Sequence, residues 1–350
     1  MRITLRTALW HILVCAPLLF HLSVSAQESP DAQVERLRQE VAGKGWIAYS
    51  ARSDNGTWDI FVMRPDGSAQ KNLTRTPDTE EAAPRFAPDG ARLLWRVLPK
   101  GTIINHDQWG FQGQLVIGQA NGTSPKMLGK EGEFTWASWS PDGAQVACLS
   151  KGGIQVVDVA TGKIIRTLPR NGLFQQLFWS PDGRWFTGVA NFKGTTWTVV
   201  RMNAENGAMN AVRENQNCTP DWFPDSQRII FSSRPPGQAA NKGYGWTYLW
   251  TADGSGENAR LVYGEENYHI YGGNISPDGA YVLLTRCPVD GGGSEKEGAP
   301  ISIIRLADTP MIQGETPQMR AAYPEANSGP MLTLVDGWEP HWTAAEIPGL

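Results

Sequence analysis

The chain has 350 residues, 41% of them hydrophobic, enough to bury one large core or two ordinary ones. Its formal net charge of −4, with no basic stripe, argues against an electrostatic binder of nucleic acid. The 38 glycines and 24 prolines are scattered, which points to short strands and many turns and away from long helices.

The first 26 residues stand apart. Arg2 and Arg6 make a positive start, Ala8 to Val24 a mostly apolar run, and Val24-Ser25-Ala26 a small-residue cleavage signal. The pattern predicts a secretory signal peptide over 1–26, cut before Gln27, with an uncleaved anchor as the alternative. Cys15 follows Val14, which is not small, so no lipoprotein site is expected there. No later stretch is apolar for long enough to span a bilayer, so no membrane span is expected in the mature chain. Localisation is therefore expected to be periplasmic or secreted. Three cysteines remain after cleavage, Cys148, Cys218 and Cys287, in a compartment expected to be oxidising. The odd number leaves at least one thiol, and Cys148 sits in an apolar run as a small hydrophobe would.

Ser29-Pro30, followed by Val34, Leu37 and Val41, predicts a short capped helix within 27–45, with a disordered linker as the alternative. From Trp46 to the C-terminus at 350 the chain repeats itself. The copies read FAPDG at Pro88, WSPDG at Pro141 and Pro181, WFPDS at Pro224 and ISPDG at Pro277. A large apolar residue stands two places before each proline: Phe86, Trp139, Trp179, Trp222 and Ile275. Another follows five places after: Leu93, Val146, Phe186, Ile229 and Val282. Proline presets φ at the first central position of the turn, aspartate suits the second, and glycine takes the positive φ that follows. Each copy is thus a hairpin. A second turn follows each hairpin, at Asp66-Gly67, Asn121-Gly122, Thr161-Gly162, Asn206-Gly207 and Asp253-Gly254. Four-stranded units of roughly 40 to 50 residues indicate a β-propeller. Trp46 to Ser50 looks like a second strand lacking its first, and Glu339 to Thr343 like a first strand lacking its second. The expectation is all-β: six four-stranded blades over 46–350, the C-terminal strand completing the first blade and closing the ring.

These residues resemble the TolB-type PD40 repeats, also called WD40-like β-propeller repeats, of bacterial periplasmic proteins. The WSPDG copies and the passage DIFVMRPDGSAQKNLT from Asp59 to Thr74 carry the resemblance, which spans about Trp46 to Thr343. WD40 repeats proper fit less well, because the paired GH and WD signatures are missing. The resemblance implies a non-catalytic module that binds a protein partner in the cell envelope, such as a lipoprotein, in a Tol-Pal-like setting. It implies no cofactor. TolB carries an α/β domain before its propeller; only a short stretch precedes Trp46 here, so contacts made through that domain are not carried over.

By this topology the second-to-third strand loops share one face and the SPDG turns the other. Three of those loops are long, Arg96 to Gln112, Ser232 to Trp246 and Arg286 to Pro300, as is the link from Gln313 to Gly337. The first holds His106, Asp107, Trp109 and Phe111, and the second Arg234, Tyr244 and Trp246. Aromatics and arginine on loops suit protein recognition, so these seven are the candidate partner-binding residues. Their alternative role is to pin long loops. Cys218 and Cys287 fall on the same face, where a disulfide is conceivable.

An enzyme is the less favoured reading. No G-x-S-x-G elbow, P-loop or H-E-x-x-H is present, so no catalytic residue is assigned. Oligogalacturonate lyases use similar repeats and hold a metal through several histidines. The mature chain has three histidines, His106, His269 and His341, all expected on the loop face. They define the alternative, a metal-dependent propeller enzyme acting on a saccharide.

Overall fold

The computed structural model describes residues 28–104, 110–234, 247–265, 268–288, 298–309, 312–313 and 329–350. The segment read as a signal peptide lies outside them, as do His106, Asp107, Trp109, Tyr244 and Trp246.

One helix opens the described chain, α1 (Pro30–Val41). The Ser29 hydroxyl caps it, accepting from the Ala32 N–H at 3.3 Å, and Pro30 occupies the first turn, where its missing N–H costs nothing. The strands follow as antiparallel meanders. The first has β1 (Trp46–Arg52), β2 (Trp58–Met63) and β3 (Lys71–Asn72). The second has β4 (Thr79–Phe86), β5 (Arg92–Pro99), β6 (Gln114–Gln119) and β7 (Lys126–Leu128). The third has β8 (Phe134–Trp139), β9 (Gln145–Ser150), β10 (Gly153–Asp158) and β11 (Ile164–Leu168). The fourth has β12 (Leu173–Trp179), β13 (Trp185–Phe192), β14 (Thr195–Asn203) and β15 (Met209–Arg213). The fifth has β16 (Asn217–Trp222), β17 (Arg228–Ser233), β18 (Tyr248–Asp253) and β19 (Arg260–Tyr263). Next come β20 (Tyr268–Ile275), β21 (Tyr281–Pro288) and β22 (Ala299–Arg305). β23 (Ile312–Gln313) adds a strand to the edge of β19, and β24 (Met331–Thr343) ends the fold.

The architecture is an all-β propeller with a single short helix. It differs from the sequence expectation in its sheet count. Among the described residues there are five sheets, and four stand as separate blades, one of them widened by β23. The fifth has seven strands, in the order β20-β21-β22-β24-β1-β2-β3. The cause is β24, which is 13 residues long. Its first part pairs with β22 and its last part with β1. The stretch from Met331 to Gly337, expected as part of a long link, is strand.

The SPDG turns are built as their residues require. The glycine N–H bonds back to the residue before the proline, as in Gly143 to Ser140 and Gly183 to Ser180, at 2.8 and 2.9 Å. That glycine takes positive φ, 66° at Gly143 and 76° at Gly183, and in WFPDS Ser226 takes it at 58°. The aspartate accepts from the serine hydroxyl and a following N–H, at 2.5 and 3.0 Å for Asp142, which holds its carboxyl below the usual range.

The apolar residues before the turns pack between sheets. Phe86, Trp139, Trp222, Ile275 and Trp342 are buried, and Trp179 is half-buried. Cys148, Cys218 and Cys287 are buried thiols, so the conceivable Cys218–Cys287 disulfide is not formed. Helix α1 lies on the turn face. Leu37 and Val41 join a cluster with Tyr281, Leu283, Ile303 and Trp342. Glu40 accepts from Tyr281 and Arg305, Lys44 pairs with Asp278, and Arg38 donates to the Asp66 carbonyl.

Glu81 of β4 is buried, 2% exposed, between the first two meanders. Burial pushes its carboxyl up to about 7, against the lowering effect of Thr74, Thr76 and Trp95 and with repulsion from Asp59. A raised folded pKa gives stability that is full below the unfolded value and lost as pH rises through the folded one. Denaturant titrations should therefore show stability falling between about pH 4.5 and 7, by on the order of 3 kcal/mol at most, and Glu81→Gln should flatten that slope. Asp142→Ala should lower stability by roughly 0.5–1 kcal/mol, read as an earlier thermal transition.

Candidate binding site in the propeller channel

The first strand of each unit carries a bulge. Five residues before the turn proline, the chain enters the left-handed region: Ala83, Gln176, Thr219 and Gly272, at φ 54°, 57°, 49° and 61°. Glu339, five before Ala344 at the aligned place, does the same at 51°. The pairing register shifts at each of these points. A bulge re-aims the side chains that follow it. Here it turns the residues three before the proline toward the channel: Arg85, Ser138, Phe178, Asp221, Asn274 and His341.

These residues line a cavity of about 380 Å³. Its rim is formed by the turn prolines Pro88, Pro141, Pro181, Pro224 and Pro277 with Ala344 and Ala345, so it opens on the turn face. Its walls include Trp139, Trp179, Trp222 and Trp342.

Hydrogen bonds tie each of these positions to the next. Trp179 N–H donates to the Ser138 hydroxyl at 2.8 Å, Trp342 N–H to the Asn274 amide oxygen at 2.9 Å, and Phe86 N–H to His341 Nδ1 at 3.2 Å. Arg85 and Phe178 offer no small side-chain acceptor. Their carbonyls instead accept the indole N–H of Trp139 and Trp222, at 3.0 and 3.1 Å. Asp221 accepts from the Asn274 amide at 2.8 Å.

The charges are few. Arg85 pairs with Glu339 at 2.5 Å and lies 5.1 Å from the Phe178 ring centroid. Burial raises the Glu339 carboxyl, while the Arg85 charge opposes the shift. Burial also raises Asp221, against the Asn274 amide, the Trp222 N–H and Arg85. His341 is pushed down to about 3, first by burial and then by Arg85, and so stays neutral. With Nδ1 accepting from Phe86, its proton sits on Nε2.

The residues singled out from sequence lie elsewhere, where they are described. Phe111 is half-buried beside β6, with the Lys151 ammonium 5.6 Å from its ring. Arg234 follows β17, and its N–H donates to the Gln216 carbonyl. Arg96 anchors the first long loop by donating to the carbonyls of Gly110 and Gln112 and to Thr135. Burial brings its guanidinium down to about 10. Of the three histidines, His341 lines the turn-face cavity, not the loop face. His269 is buried in β20, stacked on Tyr271 at 3.5 Å. Among the described residues no three His, Cys, Asp or Glu side chains gather to hold a metal ion. No described helix is long and apolar enough to cross a membrane. The channel residues were missed in the sequence. The signal was present, three places before each proline, but only Gly272 among the bulge residues announces a left-handed backbone.

No protein-family model and no curated protein matches the sequence. Solved structures do. TolB from Acinetobacter baumannii superposes with a TM-score of 0.60 at 16% identity, over 86% of this chain and 67% of that one. The chain is similar to TolB-type β-propeller proteins. A chain of a nidogen/laminin complex gives 0.53 at 8% identity, over 85% of this chain and 98% of that one. An oligogalacturonate lyase in complex with manganese gives 0.44 at 13%, over 77% and 84%. At such identities the likeness to TolB is one of fold.

Removing one member of the Arg85–Glu339 pair should leave a buried charge. Arg85→Met is expected to cost about 3 kcal/mol in chemical denaturation, and adding Glu339→Met should restore most of it.

Proposed function

We propose that this TolB-like chain is a non-catalytic protein-interaction propeller of the cell envelope, exported by its N-terminal signal peptide. In this reading the seven-stranded sheet is two blades sharing β24, which makes six and closes the ring over 46–350. The partner is an envelope protein, such as a lipoprotein, and the docking site is the turn-face mouth of the channel.

The observation that carries this reading is the cavity of about 380 Å³, rimmed by prolines and walled by tryptophans. Aromatic walls around a few polar groups suit capture of an extended segment or a chain terminus. The link arrangement favours a rigid receptor, because Ser138, Asn274 and His341 each hold the next strand and are not available to move as catalytic groups would. His106, Asp107, Trp109, Phe111, Arg234, Tyr244 and Trp246, expected from the sequence on the loop face, are proposed as a second contact surface.

The test is capture from envelope extract by the purified protein. Ala344→Trp, which fills the mouth, should abolish capture with an unchanged melting temperature, while Phe111→Ala with Arg234→Ala should retain it. The reverse pattern would move the site to the loop face. A stoichiometric metal, lost when His106, His269 and His341 are each changed to alanine, would overturn the reading in favour of a metal-dependent saccharide enzyme.

A further inference from the structure

We infer that the channel mouth receives a cationic group of the partner, a lysine or arginine side chain or an N-terminal ammonium, against Asp221. The inference rests on the docking reading above and adds the chemistry of what docks.

It follows from the charges that face the cavity. Arg85 is the one cation among the described residues that line it, and it is paired with Glu339. His341 shares the wall as a neutral imidazole whose Nδ1 is taken by Phe86. Asp221 is the one carboxyl group among the described lining residues, and Arg85, which acts on it, makes its ion pair with Glu339 instead. It accepts from Trp222 N–H at 2.7 Å and from Asn274 at 2.8 Å. A carboxylate has about four acceptor sites, so these two bonds leave room for another donor. The low local dielectric strengthens attraction for a cation and makes an anion costly. Trp179 and Trp222 line the same space. A volume of about 380 Å³ admits one or two side chains, not a folded surface. The cation must then come on a projecting segment or terminus.

The experiment titrates the purified protein with capped tripeptides, acetyl-Gly-Lys-Gly-amide and its Gln and Glu counterparts, read by tryptophan fluorescence. The lysine probe should bind at least tenfold tighter than the glutamine probe. Asp221→Asn should erase that difference. Should that variant fail to fold, Ala344→Lys, which places an ammonium at the exposed mouth of the cavity, should exclude the lysine probe. Equal binding of the lysine and glutamine probes would overturn the inference and leave the channel as a docking site. No saturable change with the lysine probe, in protein that still captures its partner, would overturn it as well.

Discussion

The structure depends on a hydrogen bond made between neighbouring inner strands, beside the channel. At five junctions the residue two places before a turn donates to the residue three places before the previous one, and at the remaining one the Asn274 amide donates to Asp221. Ser138, Asn274 and His341 accept through side chains, and Arg85 and Phe178 through carbonyls. Apolar packing between the sheets is strong but has no direction. A hydrogen bond has direction, so these links set how each sheet is turned against the next. The last acceptor, His341 of β24, receives from Phe86 of β4.

That link explains the neutral histidine. An imidazolium has no acceptor nitrogen, so a protonated His341 would lose the Phe86 bond. Burial and Arg85 hold it neutral, and the same burial desolvates the carboxyls of Asp221 and Glu339. The positions that join the strands are thus also those that set the polarity of the channel. Scaffold and candidate site share residues.

Much of the fold is legible in the sequence. Proline, aspartate and glycine specify the hairpin turns through local backbone preference, and the turns have the expected hydrogen bonds and φ. The cap on α1 is equally local. The sheet count was less legible. One uninterrupted strand, β24, pairs on both sides, and strand partners are a property of the assembled fold.

The sequence by itself determined the propeller class, the turn positions and the large apolar residue before each turn, because each follows from residues within a few places of one another. Tertiary structure decided which side chains face the channel, that its cavity opens on the turn face, and that Arg85 there pairs with Glu339. Alternation along a strand would have assigned the facing residues wrongly. The bulges are held at ordinary residues such as Ala83, Gln176 and Thr219, whose left-handed backbone is unfavourable in isolation; it goes with a register shift against the next strand and, between sheets, with the bonds from Thr219 N–H to Gln176 and from Gly272 N–H to Thr219.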